Sequence, residues 1–510
     1  MLIFGFTSII VMYLIYRWKN RALYKLAKEL HSGDMGISLP ILGQSYVFGS
    51  DPKEIMKNLR KWGRQTTERG GVLASWYGHR LLILVSDAEV ADFLLKTCLQ
   101  KDDMMQYMRF VFGNASTFAP VHIWRPRRKA VAPAFSQKNL SSFASVFADG
   151  SRALVDRLRG RTDADVALWP YMAAYSFEAA CETTFGVTVD AQSDTTQSFV
   201  KSFGLLTTTM AAFLFRPYLH NWTLFKWLFY LTGCTKKLNV INKFVDNIVT
   251  EKKEELRQEN IRKAELGLPQ NGPRSFLKFF MESSIGGKAF TDTQLREESM
   301  VMVLAASETS AVAVSFAVMM LARYPEVQEK VYQEIQEVLG KTFRSPTMEE
   351  LPRLKYLEAT IKETMRLYPS IPLVARKVET DVTLPTGVTL LKGCGIIVSI
   401  EALHRNPKYW GKDADYFKPE RFLGSPLPYN AAYIPFASGT RGCIGYRYAM
   451  MSMKTALASL LQQYRVLPAG HSPDSGLTSP CDEVSNPLHV YFDVMMKEVN
   501  HFKVKLESRQ

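Results

Sequence analysis

Cys443 lies in the run Phe436-Ala-Ser-Gly439-Thr-Arg441-Gly-Cys443-Ile-Gly445, a setting in which a thiol can bind a large flat metal cofactor. Glycines on both sides let the backbone turn sharply and approach a macrocycle with no Cβ in the way. Amide N–H groups in such a turn can point at the sulfur and stabilise the thiolate. Arg441 can pair with an acidic cofactor edge, and Phe436 can cover the sulfur against water. The alternative, a buried structural cysteine acting as a small hydrophobe, explains a lone Cys but not this company. A second cluster is Ala305-Ala306-Ser307-Glu308-Thr309-Ser310. An acid beside a hydroxyl inside an apolar run is costly unless it is used. A third is Trp124-Arg125-Pro126-Arg127-Arg128, where an indole N–H and a guanidinium can both donate to an anion.

These groups need a frame. Residues 292–324 read as one apolar helix, roughly 50 Å long at about 1.5 Å per residue, with Glu308 and Thr309 near its middle. Residues 73–77 and 81–85 read as two strands around the turn at Gly78-His79. Helices are expected over 140–160, 169–185, 236–259, 325–339 and 351–367, with a polar loop over 260–274. The stretch 205–231 is rich in Phe, Tyr, Trp and Leu; it reads as core helix or as a cavity roof dipped in lipid. With 510 residues and 47% apolar composition, the chain can bury a large core. The chemical clusters must converge on one cofactor, so one catalytic unit is expected, mainly α with a small β-rich lobe.

The cysteine run resembles the haem-binding loop of cytochromes P450, and further matches follow the family's order. Glu363-Thr-Met-Arg366 resembles the Glu-x-x-Arg of the family's helix K, and Phe417-Lys-Pro-Glu420-Arg421-Phe422 resembles the segment after it. Alone, Glu-x-x-Arg is usually a solvated surface pair; the ordered set is what is specific. The resemblance, from about Leu39 to the C-terminus, implies the P450 fold, haem b with Cys443 as its ligand, and a structural role for Glu363, Arg366 and Arg421. It implies propionate contacts from Trp124, Arg128 and Arg376, the last having an exposed arginine as its alternative. Glu308 and Thr309 match the oxygen-activation motif, where Thr309 would hold water and Glu308 would feed protons. The alternative is a threonine bonded back to its own helix and an acid paired with a distant base. Ala306 stands where glycine is usual and narrows the groove. Ala305 stands where the ω-hydroxylase branch often has Glu, so covalent haem attachment is not available.

Six cysteines are scattered without close pairs, which gives neither a disulfide framework nor a zinc pattern. Residues 1–16 carry no charged side chain, and Arg17, Lys19, Arg21, Lys25 and Lys28 follow. This reads as an uncleaved single-pass anchor with its basic flank cytosolic. The expected division is anchor 1–16, basic linker 17–40 and catalytic domain 41–510, on the cytosolic side of the endoplasmic reticulum. The net charge of +14 suits an anionic membrane surface and an acidic electron donor, with residues 125–129 suited to docking; no nucleic-acid motif accompanies it.

The implied activity is monooxygenation. The thiolate favours O–O cleavage, and electrons come from NADPH through NADPH–cytochrome P450 reductase, with cytochrome b5 as a further donor. Expected substrate walls are 104–119, 205–215, 304–309, 371–374 and 484–488, nearly all apolar, which favours a long lipid-like substrate. Similarity points to insect members, moth among them, related to fatty-acid ω-hydroxylases. Hydroxylation or alkene epoxidation of a fatty acid, hydrocarbon or pheromone precursor is expected; detoxification of foreign compounds is the alternative. Two other classes remain: a reductase-independent haem-thiolate isomerase or dehydratase, and a haem-binding protein without turnover.

Overall fold

The computed structural model describes residues 11, 13–40, 42–49, 51–162, 164–191, 194–266, 274–424, 427, 429–470 and 487–509. At its centre runs the helix Asp292–Arg323, started by a reciprocal cap in which Thr291 and Gln294 satisfy each other's backbone N–H groups. Pro325 ends it and opens the next helix, Pro325–Leu339. The helices Trp169–Phe185, Cys234–Glu265, Lys355–Leu367 and Tyr446–Gln463 pack around the central one. That enclosure is why its sequence is apolar on nearly all sides. Among the described residues it is long and apolar enough to cross a membrane, but most of its apolar stretch is buried inside the molecule; it is a core helix.

The small lobe holds a four-stranded sheet in the order Val72–Tyr77, Arg80–Val85, Gly395–Ser399, Leu373–Lys377. The first two strands form the expected hairpin, turning at Gly78 with φ +61°; the middle pair is parallel and the last antiparallel. A second sheet joins Tyr464–Pro468 to Lys503–Ser508 and that strand to Asp165–Ala167. A separate hairpin pairs Val490–Asp493 with Met495–Glu498. The architecture is mainly helical with a small β-rich lobe.

Several elements differ from the sequence reading for local reasons. The expected helix 140–160 is two helices, Gln137–Ser141 and Ala144–Leu158. At the break the Ser142 hydroxyl donates to Asn139 O, an alternative partner that competes with helix propagation. The aromatic stretch divides into Asp194–Leu214 and Trp222–Leu231. Pro217 interrupts it, and the Asn221 side chain caps the second helix. Glu265, expected in a loop, ends the helix Cys234–Glu265. The segment read as a basic linker contains the helix Arg21–Glu29, which buries Leu26 and Ala27 and sets Tyr24 4.5 Å from Trp76 of the sheet. Residues 1–10 and 12, most of the expected anchor, lie outside the described residues.

Candidate functional site

The cysteine loop enters from the small lobe and leaves into the helix Tyr446–Gln463. Gly439 takes φ +72°, and a Cβ there would meet Leu95 O at 2.7 Å, so only glycine fits the turn. Cys443 N–H donates to Phe436 O at 2.8 Å, closing the loop under the aromatic residue. Cys98, Cys181, Cys234 and Cys394 are buried, whereas Cys443 is reachable from solvent. Its surroundings are nevertheless dense: burial raises the thiol pKa, while the Gly445 N–H and the Arg128 charge pull it down. Both opposing groups favour the thiolate.

Beside the loop stands a set of cations with too few anions. Arg441 stacks on Trp124 with its guanidinium 4.4 Å from the ring centroid, and donates from Nη2 to Ala119 O at 2.8 Å. Its Nε and Nη1 are buried without a partner, as is Nε of Arg376. Arg376 is 1% exposed, so its reading as an exposed arginine is excluded. Arg128 Nη2 donates to Gly442 O at 3.0 Å, holding the backbone next to the cysteine. Burial lowers Arg376 to about 10; burial and the neighbouring Arg376 and Arg128 lower Arg441 to about 9. Lys101 joins them, pushed well down by burial, Arg376 and Arg441. Of the adjoining acids, Asp102 is engaged by Arg80 at 2.6 Å and Asp103 by Lys377 at 2.8 Å, and the exposed Glu379 is the smallest of the influences on Arg441. Orphaned buried donors and crowded cations are costly unless a multiply charged anion meets them. A flat macrocycle with two carboxylates on one edge and a metal over the thiol fits these residues.

On the central helix, Thr309 Oγ1 donates to Ala305 O at 2.7 Å, and Lys497 Nζ lies 3.8 Å from Glu308 Oε2. Both features are those of the structural alternative for this pair. They do not exhaust it: a hydroxyl that donates still has lone pairs with which to accept. Among the described residues no hydrogen bond or ion pair joins Glu308 or Thr309 to the cysteine loop.

The model of the family described as Cytochrome P450 matches residues 35–488. The chain is 31% identical over 456 residues to Cytochrome P450 4d2 of Drosophila melanogaster, covering 85% of this chain and 88% of that one. Against Cytochrome P450 4c21 of Blattella germanica it is 29% identical, with 92% and 93% covered. Against Cytochrome P450 4V2 of Pongo abelii it is 29% identical, with 83% and 82% covered.

The chain belongs to the cytochrome P450 family. It is of the family-4 type found in insects. It is therefore a haem-thiolate monooxygenase whose electrons derive from NADPH through a reductase partner.

In this P450 the Glu363–Arg366 pair of the expected ion network is fully buried, and Arg421 joins it from a partly exposed position. Arg366 meets Glu363 with two bonds, 2.6 Å from Nε and 2.7 Å from Nη2, and both residues are 0% exposed. Arg366 also donates to the carbonyls of His404, Ala414 and Tyr416. Arg421 reaches Glu363 at 3.5 Å. His404, which the sequence did not single out, carries the network onward. Its Nδ1 faces Arg366 O at 3.2 Å, and its Nε2 accepts from the N–H of Ile434 at 2.9 Å. Ile434 O in turn accepts from Ala437 N–H of the cysteine loop. Burial and Arg366 hold His404 neutral, with its pKa lowered to about 3. Lys101 was missed too, because Lys-Asp-Asp reads as a solvated surface run.

Of the basic run 125–129, Arg125 and Lys129 are exposed. Arg127 is spent internally, 2.8 Å from Glu297 and 3.4 Å from Glu298 on the central helix. Burial raises Glu298 to about 7, against the pull of Arg127 and Ser116. A carboxyl raised in the fold contributes most below its unfolded value, 4.5, and that contribution is lost as pH rises through about 7. Wild-type protein should therefore lose on the order of 3 kcal/mol across that window relative to Glu298→Gln. Urea unfolding of both proteins at the two ends of the window checks this. The comparison with the variant is needed because His404 slopes the other way.

Proposed function

We propose that Cys443, as thiolate, is the haem iron ligand, with Phe436 shielding it and with Trp124, Arg128, Arg376 and Arg441 holding the haem's acidic edge. The observation that carries this reading is the uncompensated cation cluster beside a reachable thiol in a glycine-turned loop. Haem held by these residues would supply the activation of dioxygen and the transfer of one oxygen atom to a C–H or C=C bond. Phe436 and the packed loop would shield the sulfur from one side, and bound haem would cover the side now open to solvent. Thr309, its proton engaged by Ala305 O, accepts a hydrogen bond from water beside the reacting centre. Glu308 supplies the protons. Thr309→Ala should cut product formation by about 100-fold or more while NADPH consumption continues and hydrogen peroxide accumulates; assaying all three on one preparation checks it.

The substrate is long, hydrophobic and lipid-like. Supporting this, Phe112 packs on Phe118 and Phe203, and Phe215 packs on Phe492, so aromatic rings join the expected wall 104–119 to the helix Asp194–Leu214 and the expected wall 205–215 to the C-terminal hairpin. Leu488 is buried with its N–H donating to Tyr368 Oη, and 484–486 lie outside the described residues. Within the lipid-like class the reading is hydroxylation or alkene epoxidation of a fatty acid, hydrocarbon or pheromone precursor. Residues 1–16 anchor the chain in the endoplasmic reticulum membrane, with the catalytic domain cytosolic. NADPH–cytochrome P450 reductase docks at the exposed Arg125 and Lys129, and cytochrome b5 is a second donor.

The test is full-length protein with reductase, NADPH and a panel of long-chain alkenes, fatty acids and xenobiotics under ¹⁸O-labelled dioxygen. One labelled oxygen in a long-chain product, strictly dependent on NADPH, is expected. Turnover confined to xenobiotics overturns the lipid reading. Rearrangement of a peroxide without NADPH overturns the proposed reaction.

A further inference from the structure

The central helix carries Glu308 to a buried crossing with three other elements. From the C-terminal hairpin, Lys497 Nζ lies 3.8 Å from Glu308 Oε2 and 3.2 Å from Asp493 Oδ2. From the helix Asp194–Leu214, the Thr208 hydroxyl donates to the same Asp493 oxygen at 3.4 Å. From the helix Trp169–Phe185, the Trp169 ring faces the Lys497 ammonium at 4.9 Å. The hairpin adds two more titratable groups. Tyr491 is kept protonated by burial, and Glu498 is occupied by the N–H groups of Asn500 and Phe502. One cation thus serves two carboxylates. Each carboxylate keeps a buried oxygen without a hydrogen-bond partner, Oε2 of Glu308 and Oδ1 of Asp493.

The geometry is an unequal competition. Lys497 and Asp493 lie on one tight hairpin whose turn residue, Val494, takes φ +58°, so their spacing is fixed by the strand pairing. Glu308 meets the cation from the helix, at longer range. Burial favours the neutral acid at Glu308, Lys497 favours its anion, and Asp493 opposes Lys497. A full ion pair would lock Glu308 as carboxylate, and no pair at all would lock it as the acid.

We propose that Lys497 and Asp493 are positioning residues that set the charge of Glu308: Lys497 stabilises its anion, Asp493 draws Lys497 away, and Glu308 is left able to exchange a proton. The proposal rests on Glu308 as the proton supplier, and it predicts displacements of opposite sign. Removing the cation in Lys497→Met raises the pH at which Glu308 ionises. Removing the competitor in Asp493→Asn leaves Lys497 to Glu308 alone and lowers it. Loss of structure would not produce opposite signs.

The experiment uses the full chain as purified, with its carbon monoxide difference band checked first. Infrared titration follows the protonated carboxyl band that is absent in Glu308→Gln. Displacements of about one pH unit upward for Lys497→Met and downward for Asp493→Asn are expected, with Lys497→Arg restoring the wild-type midpoint. Displacements of the same sign, or none, overturn the proposal. If Lys497→Met does not fold, Asp493→Asn alone decides, and an upward or absent shift overturns it. The ratio of peroxide to product is read across pH on the same proteins and should follow the infrared midpoints. Should the midpoints move while Glu308→Gln leaves that ratio unchanged, the control of Glu308 stands and its role as proton supplier falls.

Discussion

Cys443→Ala abolishes the strongly red-shifted Soret band of the dithionite-reduced, carbon monoxide-bound protein, and product formation with it. The shift requires a thiolate on the iron. Of the cysteines in the described residues, Cys443 alone is not buried. Burial drives Cys181 above the usual thiol range and lifts Cys98 and Cys394 to about 11, which disfavours the thiolate at each of them. Burial raises Cys443 as well, but the Gly445 N–H and the Arg128 guanidinium draw it part of the way back. The substitution removes no core packing, and the folded variant should retain the wild-type far-UV circular dichroism. A band that stays red-shifted in Cys443→Ala would remove the ligand assignment altogether.

Glu363→Ala should cost about 3–5 kcal/mol, the usual penalty for leaving a buried charge unpaired. Against a folding stability of about 5–15 kcal/mol, most of the protein should be recovered without haem. The usual remedy, replacing both charges by apolar groups of similar size, should fail here. Arg366 also satisfies the carbonyls of His404, Ala414 and Tyr416, and Glu363 accepts from Lys418 N–H at 2.8 Å. The double variant Glu363→Met/Arg366→Met orphans all four backbone groups. Haem content per polypeptide and the urea midpoint of each variant measure the effect; recovery of either in the double variant would show that the charges matter more than the backbone they hold.

The sequence was most legible where a local rule decides the outcome. The helix Trp169–Phe185 and the helix Pro325–Leu339 fall at their expected bounds, because a glycine ends one and a proline opens the other. The hairpin at Gly78 follows from its turn residue. The cysteine loop was visible because its glycines are demanded by backbone geometry, as the close approach at Gly439 shows. What the sequence hid depends on partners far along the chain. Lys497 and Asp493 meet a residue nearly two hundred positions earlier. Arg127 reads as part of a basic patch until Glu297 and Glu298 arrive opposite it. His404 bridges Arg366 and Ile434 with two ring nitrogens, a role no spacing rule expresses. The Thr309 hydroxyl admits two partners in principle, and only the folded helix shows that Ala305 O takes its proton.

The sheet that joins Asp165–Ala167 to Lys503–Ser508 sets a clock on biosynthesis. At roughly 5–20 residues per second, the early strand leaves the ribosome on the order of tens of seconds before its neighbour exists. Its hydrogen-bonding edge stays open through that interval, and the helix beginning at Trp169 waits for the backbone carbonyls of His501 and Phe502. Closure of this part of the molecule waits until residues 501–505 have been made. A chain truncated before Lys503 would keep its cysteine loop and lose the strand that closes the sheet.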